Sequence, residues 1–333
     1  MRVVILGGTL FIGRQITASL LARGDEVTVV PRGESEPAAG ELAGCEHLHT
    51  DRAAFESVAG QVRAWRPDAV IDTRAMTAAD AAAVLPFLPD AFLVLLSSVD
   101  VYRAYELLLA GDGGEPVPLD ESAPVRAGRY PLRDLVPGLG ETYDKLDVEP
   151  RYLERGGTAL RLAMIYGEHD GQRREEFILR RIRAGRRQIP FGPGNSLNTR
   201  GYVGDVAAAV LAALAAPAAA AGEVFNVGDP VTGTVRDWAS QIAGAAGVAG
   251  YPGGVELVTV PEEVLPADLD ETKAQAQHLL IDSRKAMTRL GWRPADPVAS
   301  IATSVRWHLE HPPADVDADA GFASDDRALA TAR

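Results

Sequence analysis

Seven residues near the start of the chain constrain its fold more than any other stretch. Gly7-Gly8-Thr9-Leu10-Phe11-Ile12-Gly13 directly follows the β-branched run Val3–Leu6 and opens a helical pattern, Ile12–Arg23. Glycine adopts backbone angles closed to other residues, so the first two permit a tight turn from strand to helix. The helix N-terminus then presents unbonded backbone N–H groups, a seat for a pyrophosphate, and Gly13 lets the helix pack closely on the sheet. A glycine-rich turn alone says little; its place after the first strand of a strand–helix–strand unit gives it meaning.

That alternation continues. Val27–Val30, Ala69–Ile71 and Phe92–Leu96 are short apolar strands, and Ala53–Trp65 and Ala78–Leu85 are helical stretches between them. Ala159–Ala163 follows a helical stretch around Thr142–Glu154, and Val224–Val227 is a late strand. Strands that alternate with helices and are apolar throughout predict a parallel sheet covered on both faces. The expected fold is α/β: a doubly wound sheet over residues 1–163, completed by the strand near 224–228, with a smaller α/β substrate lobe across 164–310. The Ala-rich run Ala207–Ala221 reads as a well-packed surface helix plus loop. Residues 111–138, with Gly113-Gly114 and five prolines, form a long loop of the kind used as a lid or substrate loop. Residues 312–333 carry Asp315, Asp317, Asp319, Asp325 and Asp326 among Ala and Gly, the composition of a disordered acidic tail.

Composition narrows the partners. Among 333 residues, 33 Lys and Arg against 46 Asp and Glu give a net charge of −13, which argues against a nucleic-acid or anionic-membrane binder. The single cysteine, Cys45, rules out an internal disulfide framework and a multi-cysteine zinc site, and the six histidines show no metal spacing. The apolar run at the N-terminus is too short for a signal peptide, and no stretch approaches the ~18 apolar residues of a membrane span. A cytoplasmic protein with a small-molecule substrate is expected. Seven arginines between Arg173 and Arg187 would either clamp a phosphorylated substrate or RNA, or form a solvated face paired with Glu175 and Glu176; without an aromatic platform the RNA idea is weak.

The glycine turn resembles the Gly-x-x-Gly-x-x-Gly loop of the extended short-chain dehydrogenases, the NAD-dependent epimerase/dehydratase family, with Leu10 in place of the middle glycine. The resemblance implies NAD or NADP, held around Gly7, Thr9, Leu10, Phe11, Ile12 and Gly13. It places Asp51-Arg52 where an acidic residue meets the adenine, and Thr73 and Arg74 along the cofactor. Arg32 ends the second strand where NAD enzymes carry an acid; a cation there suits a 2′-phosphate and favours NADP, against the alternative of a solvated loop arginine.

Ser97-Ser98-Val99-Asp100-Val101-Tyr102 looks like the segment that carries the family's catalytic hydroxyl, which falls on Ser98. Asp100 takes the place of the second dehydratase carboxylate, as a base or as a turn residue. The family's Tyr-x-x-x-Lys pair can be registered on Lys145, with Glu149 beyond it, but the residue four before is Glu141. Tyr143 is two before, rotated by roughly 200° on a helix of about 3.6 residues per turn, and points elsewhere unless the helix starts late. Three readings stay open: Glu141 replaces tyrosine, Tyr143 reaches in from an irregular first turn, or the redox step is lost. Further on, Leu160–Gly167 is similar to Leu-Arg-Pro-x-Asn-Val-Tyr-Gly, with Met164 in place of the sugar-seating Asn, and Arg200 stands for the arginine that meets a nucleotide diphosphate. What the resemblance implies is an NAD(P)-dependent epimerase, dehydratase or reductase acting by hydride transfer on a sugar-like or polyol substrate, with a homodimer possible. The alternative is a cofactor-binding regulator or RNA-associated protein that has lost turnover.

Overall fold

In the computed structural model the chain is described over residues 1–33, 42–133, 141–251, 253–314 and 321–332. Seven strands form one parallel sheet: β1 (Arg2–Leu6), β2 (Glu26–Val30), β3 (Glu46–His47), β4 (Ala69–Asp72), β5 (Phe92–Ser98), β6 (Thr158–Leu162) and, later in the chain, β10 (Val224–Val227). Their order is β10-β6-β5-β4-β1-β2-β3. The chain winds outward from β1 to β3, then returns beside β1 and winds the other way. The reversal lies between β1 and β4, and crevices at the carboxyl ends of strands at such a point are where ligands bind in open sheets. Gly7 leaves β1 and Thr73 leaves β4 at that point, because Leu6 and Asp72 are paired in register.

Alternation along each strand fills two cores. Val3 and Ile5 pack with Ile16 and Leu20 of α1 (Phe11–Arg23) on one face. Val4 and Leu6 pack on the other with α2 (Glu56–Trp65), α3 (Ala78–Val84) and α5 (Lys145–Leu153), while α4 (Arg103–Ala110) lies between β5 and the long loop. The Ala-rich run is a closely packed helix, as expected. Its first part lies in α7 (Val203–Ala215), whose Val206, Ala207, Ala209, Val210 and Ala213 are fully buried on the side of α1. Alanine is used there because its small side chain lets two helices and a sheet meet closely, not because the helix faces water.

The second lobe holds two parallel strand pairs: β7 (Met164–Tyr166) with β9 (Arg200–Tyr202), and β8 (Gln188–Phe191) with β11 (Glu256–Thr259). Around them, α6 (Glu176–Arg183), α9 (Val235–Val248) and α11 (Pro297–Glu310) enclose Phe177, Ile178, Trp238, Ile242 and Val305. The short α8 (Pro217–Ala220) and α10 (Arg284–Arg289) flank β10. No helix among the described residues is long and apolar enough to cross a membrane.

The C-terminal segment also corrects its expectation. Residues Ala323–Ala330 form α12, with Asp325 and Ala328 buried; Asp315, Asp317 and Asp319 lie outside the described residues. Asp325 and Asp326 are held in this helix because each finds an arginine of the basic run. Arg181, itself fully buried, donates to Asp325 through Nε at 2.8 Å and Nη2 at 2.9 Å, and Arg186 pairs with Asp326. The Phe322 ring lies under the guanidinium groups of both Arg180 and Arg186. Removing one partner of a buried ion pair typically costs about 3–5 kcal/mol, whereas an exposed pair contributes at most about 1 kcal/mol. Asp325→Ala should therefore destabilise the fold in urea unfolding by roughly 3 kcal/mol, and Asp326→Ala by less than about 1 kcal/mol.

Candidate active site

The glycine turn is shaped as a cradle. Gly7 and Gly8 have φ of +99° and +98°, and a Cβ on Gly13 would lie 2.8 Å from the Gly8 nitrogen, so α1 starts in direct contact with the turn. The Thr17 hydroxyl lies 2.9 Å from the carbonyl oxygens of both Gly8 and Gly13 and ties the two together. Leu10 is the N-cap of α1 without a side-chain cap, and it is 61% exposed, so its side chain is not packed into the protein. Phe11 follows with φ +37°, a conformation costly for a residue with a Cβ, and such strain gathers at ligand sites. Thr9 is buried and Ile12 half-buried. With glycine at 7, 8 and 13 and the Leu10 side chain standing out at its rim, this turn at a helix N-terminus fits the paired phosphates of a dinucleotide.

The flanking residues divide by their partners. Arg32 is exposed where β2 ends. The Asp51 carboxylate accepts from the Ala53 N–H at 2.8 Å and caps its own turn. Arg52 forks onto the buried Asp72 and donates to the Asp80 carbonyl at 2.9 Å, so it braces β4. The Thr73 hydroxyl donates to the Leu6 carbonyl at 2.9 Å, while the Arg74 side chain is exposed above Gly7.

A second group lies at the ends of β5 and α5. Helix α5 begins at Lys145, with Asp144 as N-cap, so Glu141 and Tyr143 both precede it. Glu141 therefore does not share a helix face with Lys145; it is exposed, and its backbone carbonyl accepts from Arg133. Tyr143 is buried, and its hydroxyl donates to Asp100 Oδ2 at 2.5 Å. Ser98 caps the turn after β5, its hydroxyl accepting from the Asp100 N–H at 3.2 Å, and it is within reach of the Tyr143 hydroxyl. Lys145 is buried and donates to the carbonyls of Ala75 at 2.7 Å and Leu96 at 3.0 Å. Ammonium has three donors, so one N–H is left for another acceptor.

Electrostatics follow from burial. Loss of water raises the Asp100 carboxyl above the ordinary carboxylate range, although Tyr143, Ser98, Arg126 and Lys145 each pull it back. Burial, then the Asp100 charge, pushes the Tyr143 hydroxyl well up. Burial brings Lys145 down to about 8, opposed by Asp100 and Asp72. Asp100 Oδ1 is buried and has no hydrogen-bond partner among the described residues. The cluster can accept or hold a proton at one carboxylate and offer the Ser98 hydroxyl to an incoming oxygen.

Two residues of this site were not singled out in the sequence. Arg126, in the long loop, forks onto Asp144 at 2.5 and 3.1 Å and donates through Nε to the Asp100 carbonyl at 2.8 Å. Arg161 of β6 holds Glu149 at 2.7 and 3.0 Å, and Glu149 accepts from the Ser97 hydroxyl at 2.5 Å. The only hint was strand alternation, which sends Ser97 and Ser98 to opposite faces.

The lobe adds a cleft of about 460 Å³ lined by Met164, Arg173, Arg174, Phe177, Arg180 and Glu271 among others. Arg200 lies buried near it, stacked 3.7 Å over the Trp238 ring, with Nε and Nη2 unbonded among the described residues and Glu271 3.6 Å away. Met164 and Arg200 are register partners in the β7–β9 pair. Among the described residues no group of His, Cys, Asp and Glu is placed to hold a metal ion.

The NAD-dependent epimerase/dehydratase family model matches residues 3–86 and 150–228, the glycine turn with its sheet and the β6–β10 region. The chain belongs to this family. Residues 87–149, which carry Ser98, Asp100, Tyr143 and Lys145, fall between the matched stretches. Among solved structures, the chain is similar to a dTDP-glucose 4,6-dehydratase from Bacillus anthracis in complex with NAD, with TM-score 0.70 and 15% identity over 94% of this chain and 97% of that one. It is also similar to a UDP-glucose 4-epimerase from Thermotoga maritima with UDP-glucose, with TM-score 0.67 and 19% identity over 93% and 99%. Among curated proteins, it is 27% identical over 348 residues to the chloroplast stem-loop binding protein of 41 kDa b from Arabidopsis thaliana, covering 98% of this chain and 84% of that one.

One carboxylate beneath the cleft gives a pH test. Glu175 is buried, accepts from the Ser304 hydroxyl and lies 3.6 Å from His308. Burial raises it from 4.5 to about 7. The folded chain thus binds the proton more tightly than the unfolded one, so this contribution is complete below pH 4.5 and fades as pH rises through 7. His308 acts in the opposite sense, lowered to about 4, but it is common to both proteins compared. Glu175→Gln should gain thermal stability relative to the parent between pH 5 and pH 8, read as Tm at the two values; a constant difference would contradict the raised carboxyl.

Proposed function

We propose that the chain is an NAD(P)-dependent epimerase, dehydratase or reductase that acts by hydride transfer on a sugar-like or polyol substrate. The observation that carries this reading is the Asp100–Tyr143 hydrogen bond, 2.5 Å long, beside Ser98 and Lys145 at the carboxyl end of β5, the strand next to β4 and the switch point. A nicotinamide bound there would accept or return the hydride. In the cradle, the N-terminus of α1 would face the pyrophosphate, and Arg32 would favour NADP by facing a 2′-phosphate. The free N–H of Lys145 would orient the nicotinamide ribose. Ser98 would donate to the reacting oxygen, the Tyr143 hydroxyl would stay on Asp100 Oδ2, and Asp100 would take the proton that leaves the substrate hydroxyl at its unbonded Oδ1. Glu141 has no part in this scheme. Arg200, with two unbonded nitrogens, would receive an anionic part of the substrate.

Mass spectrometry of small molecules that co-purify with the native protein identifies the substrate to be assayed. With that substrate, Asp100→Asn should lower turnover by about 10²–10⁴-fold, the range of general acid–base catalysis, while Glu141→Gln leaves it unchanged. Lys145→Ala should abolish it, and full activity in that variant would remove the hydride mechanism.

A second reading, an RNA-associated protein without turnover, is favoured by the name of the Arabidopsis relative. Against it, five arginines of the basic run, Arg173, Arg180, Arg181, Arg183 and Arg186, already pair with carboxylates. Hairpin RNA binding that weakens steeply with salt would favour this second reading.

A further inference from the structure

Arg74 follows β4 and stands beside Gly7, the first glycine of the cradle. Both neighbours of its backbone are pinned: the N–H groups of Arg74 and Ala75 donate to Asp72 Oδ1 at 2.9 Å each, and Thr73 is bonded to Leu6. The side chain then runs directly over the turn, for a Cβ on Gly7 would lie 3.1 Å from Arg74 Cγ. Arg52, on the far side of Asp72, uses its guanidinium within the protein. That of Arg74 is exposed and, among the described residues, has no hydrogen-bond or ion-pair partner.

We propose that Arg74 clamps the dinucleotide's pyrophosphate and so replaces the close backbone approach that Leu10 removes. This rests on the reading of the cradle as a dinucleotide site. A bare glycine lets phosphate oxygens come down onto backbone N–H groups; Leu10 adds a side chain at that level. A guanidinium reaching in from the loop after β4 needs no such approach, since its fork offers two parallel charge-assisted hydrogen bonds. Its place also separates it from any 2′-phosphate. Arg32 leaves β2 and Arg74 follows β4, and these strands flank β1 on opposite sides.

The test is calorimetric titration of the full chain with NAD⁺, NADP⁺ and adenosine. Arg74→Ala should weaken NAD⁺ and NADP⁺ by the same factor, about tenfold, leave adenosine unchanged, and preserve the circular dichroism spectrum. Arg74→Lys, which keeps the charge without the fork, should fall between. Leu10→Gly added to Arg74→Ala should restore part of the loss. Unchanged dinucleotide binding in Arg74→Ala would overturn the proposal while leaving the cradle reading intact. A loss confined to NADP⁺ would overturn it too, by moving the arginine to the 2′-phosphate. Should the parent chain bind neither dinucleotide, the cradle reading itself falls, and the role of Arg74 with it.

Discussion

The carboxylate of Asp144 sets where α5 begins, and the geometry of the site follows from it. Its two oxygens accept from Arg126, from Arg129 and from the N–H groups of Tyr130 and Leu146. Burial would raise this carboxyl, but those donors hold it below the ordinary range, so the charge is kept inside the protein. A charge so placed is stable only with partners in good geometry. The partners come from the long loop, which is thereby stitched to the first turn of the helix. Lys145 becomes the first helical residue and is carried to the carbonyls of Ala75 and Leu96. Tyr143 is left in the approach to the helix, free of its phase, and can reach Asp100.

This dependence explains which parts of the molecule were legible. The glycine turn, the strands and their alternation are local, and each was readable from spacing. The start of α5 was not local: it depends on Arg126, which is 18 residues from Asp144 in the chain. With the helix assumed to run through position 141, Glu141 shares a face with Lys145 and Tyr143 points away. With the helix starting at Lys145, the two exchange places. Asp100 was visible as a position but not as a hydrogen-bond acceptor, because its partner comes from this same non-local approach.

Charge composition misled in the C-terminal segment for a related reason. Acids and alanines in a row describe a chain that cannot bury much, yet the count omits what lies opposite. Helix α6 presents arginines whose own stems and heads are partly enclosed, and Arg181 is fully so. Such a cation needs carboxylates more than an exposed one does, and Asp268 and Asp325 supply them from two different segments. A basic run and an acidic tail, each unremarkable alone, form one buried electrostatic joint. Its cost and its contribution both rest on geometry, which no composition records.

The same logic bears on the chemistry. In the usual Tyr-x-x-x-Lys arrangement a cation beside the phenol favours its ionised form. Here the nearest charge to the Tyr143 hydroxyl is the Asp100 carboxylate, an anion, and the phenol is pushed up rather than down. A tyrosinate next to that carboxylate would place two negative charges within one hydrogen bond, so the phenol keeps its proton and serves as a donor. The carboxylate is then the group able to change state, its affinity for a proton increased by burial and restrained by Lys145 and Arg126. Groups this close titrate as a set rather than singly. Moving the tyrosine by two positions therefore does more than relocate a side chain: in the reaction proposed above, it would transfer the role of proton acceptor from a phenol on the helix to a carboxylate at the end of β5.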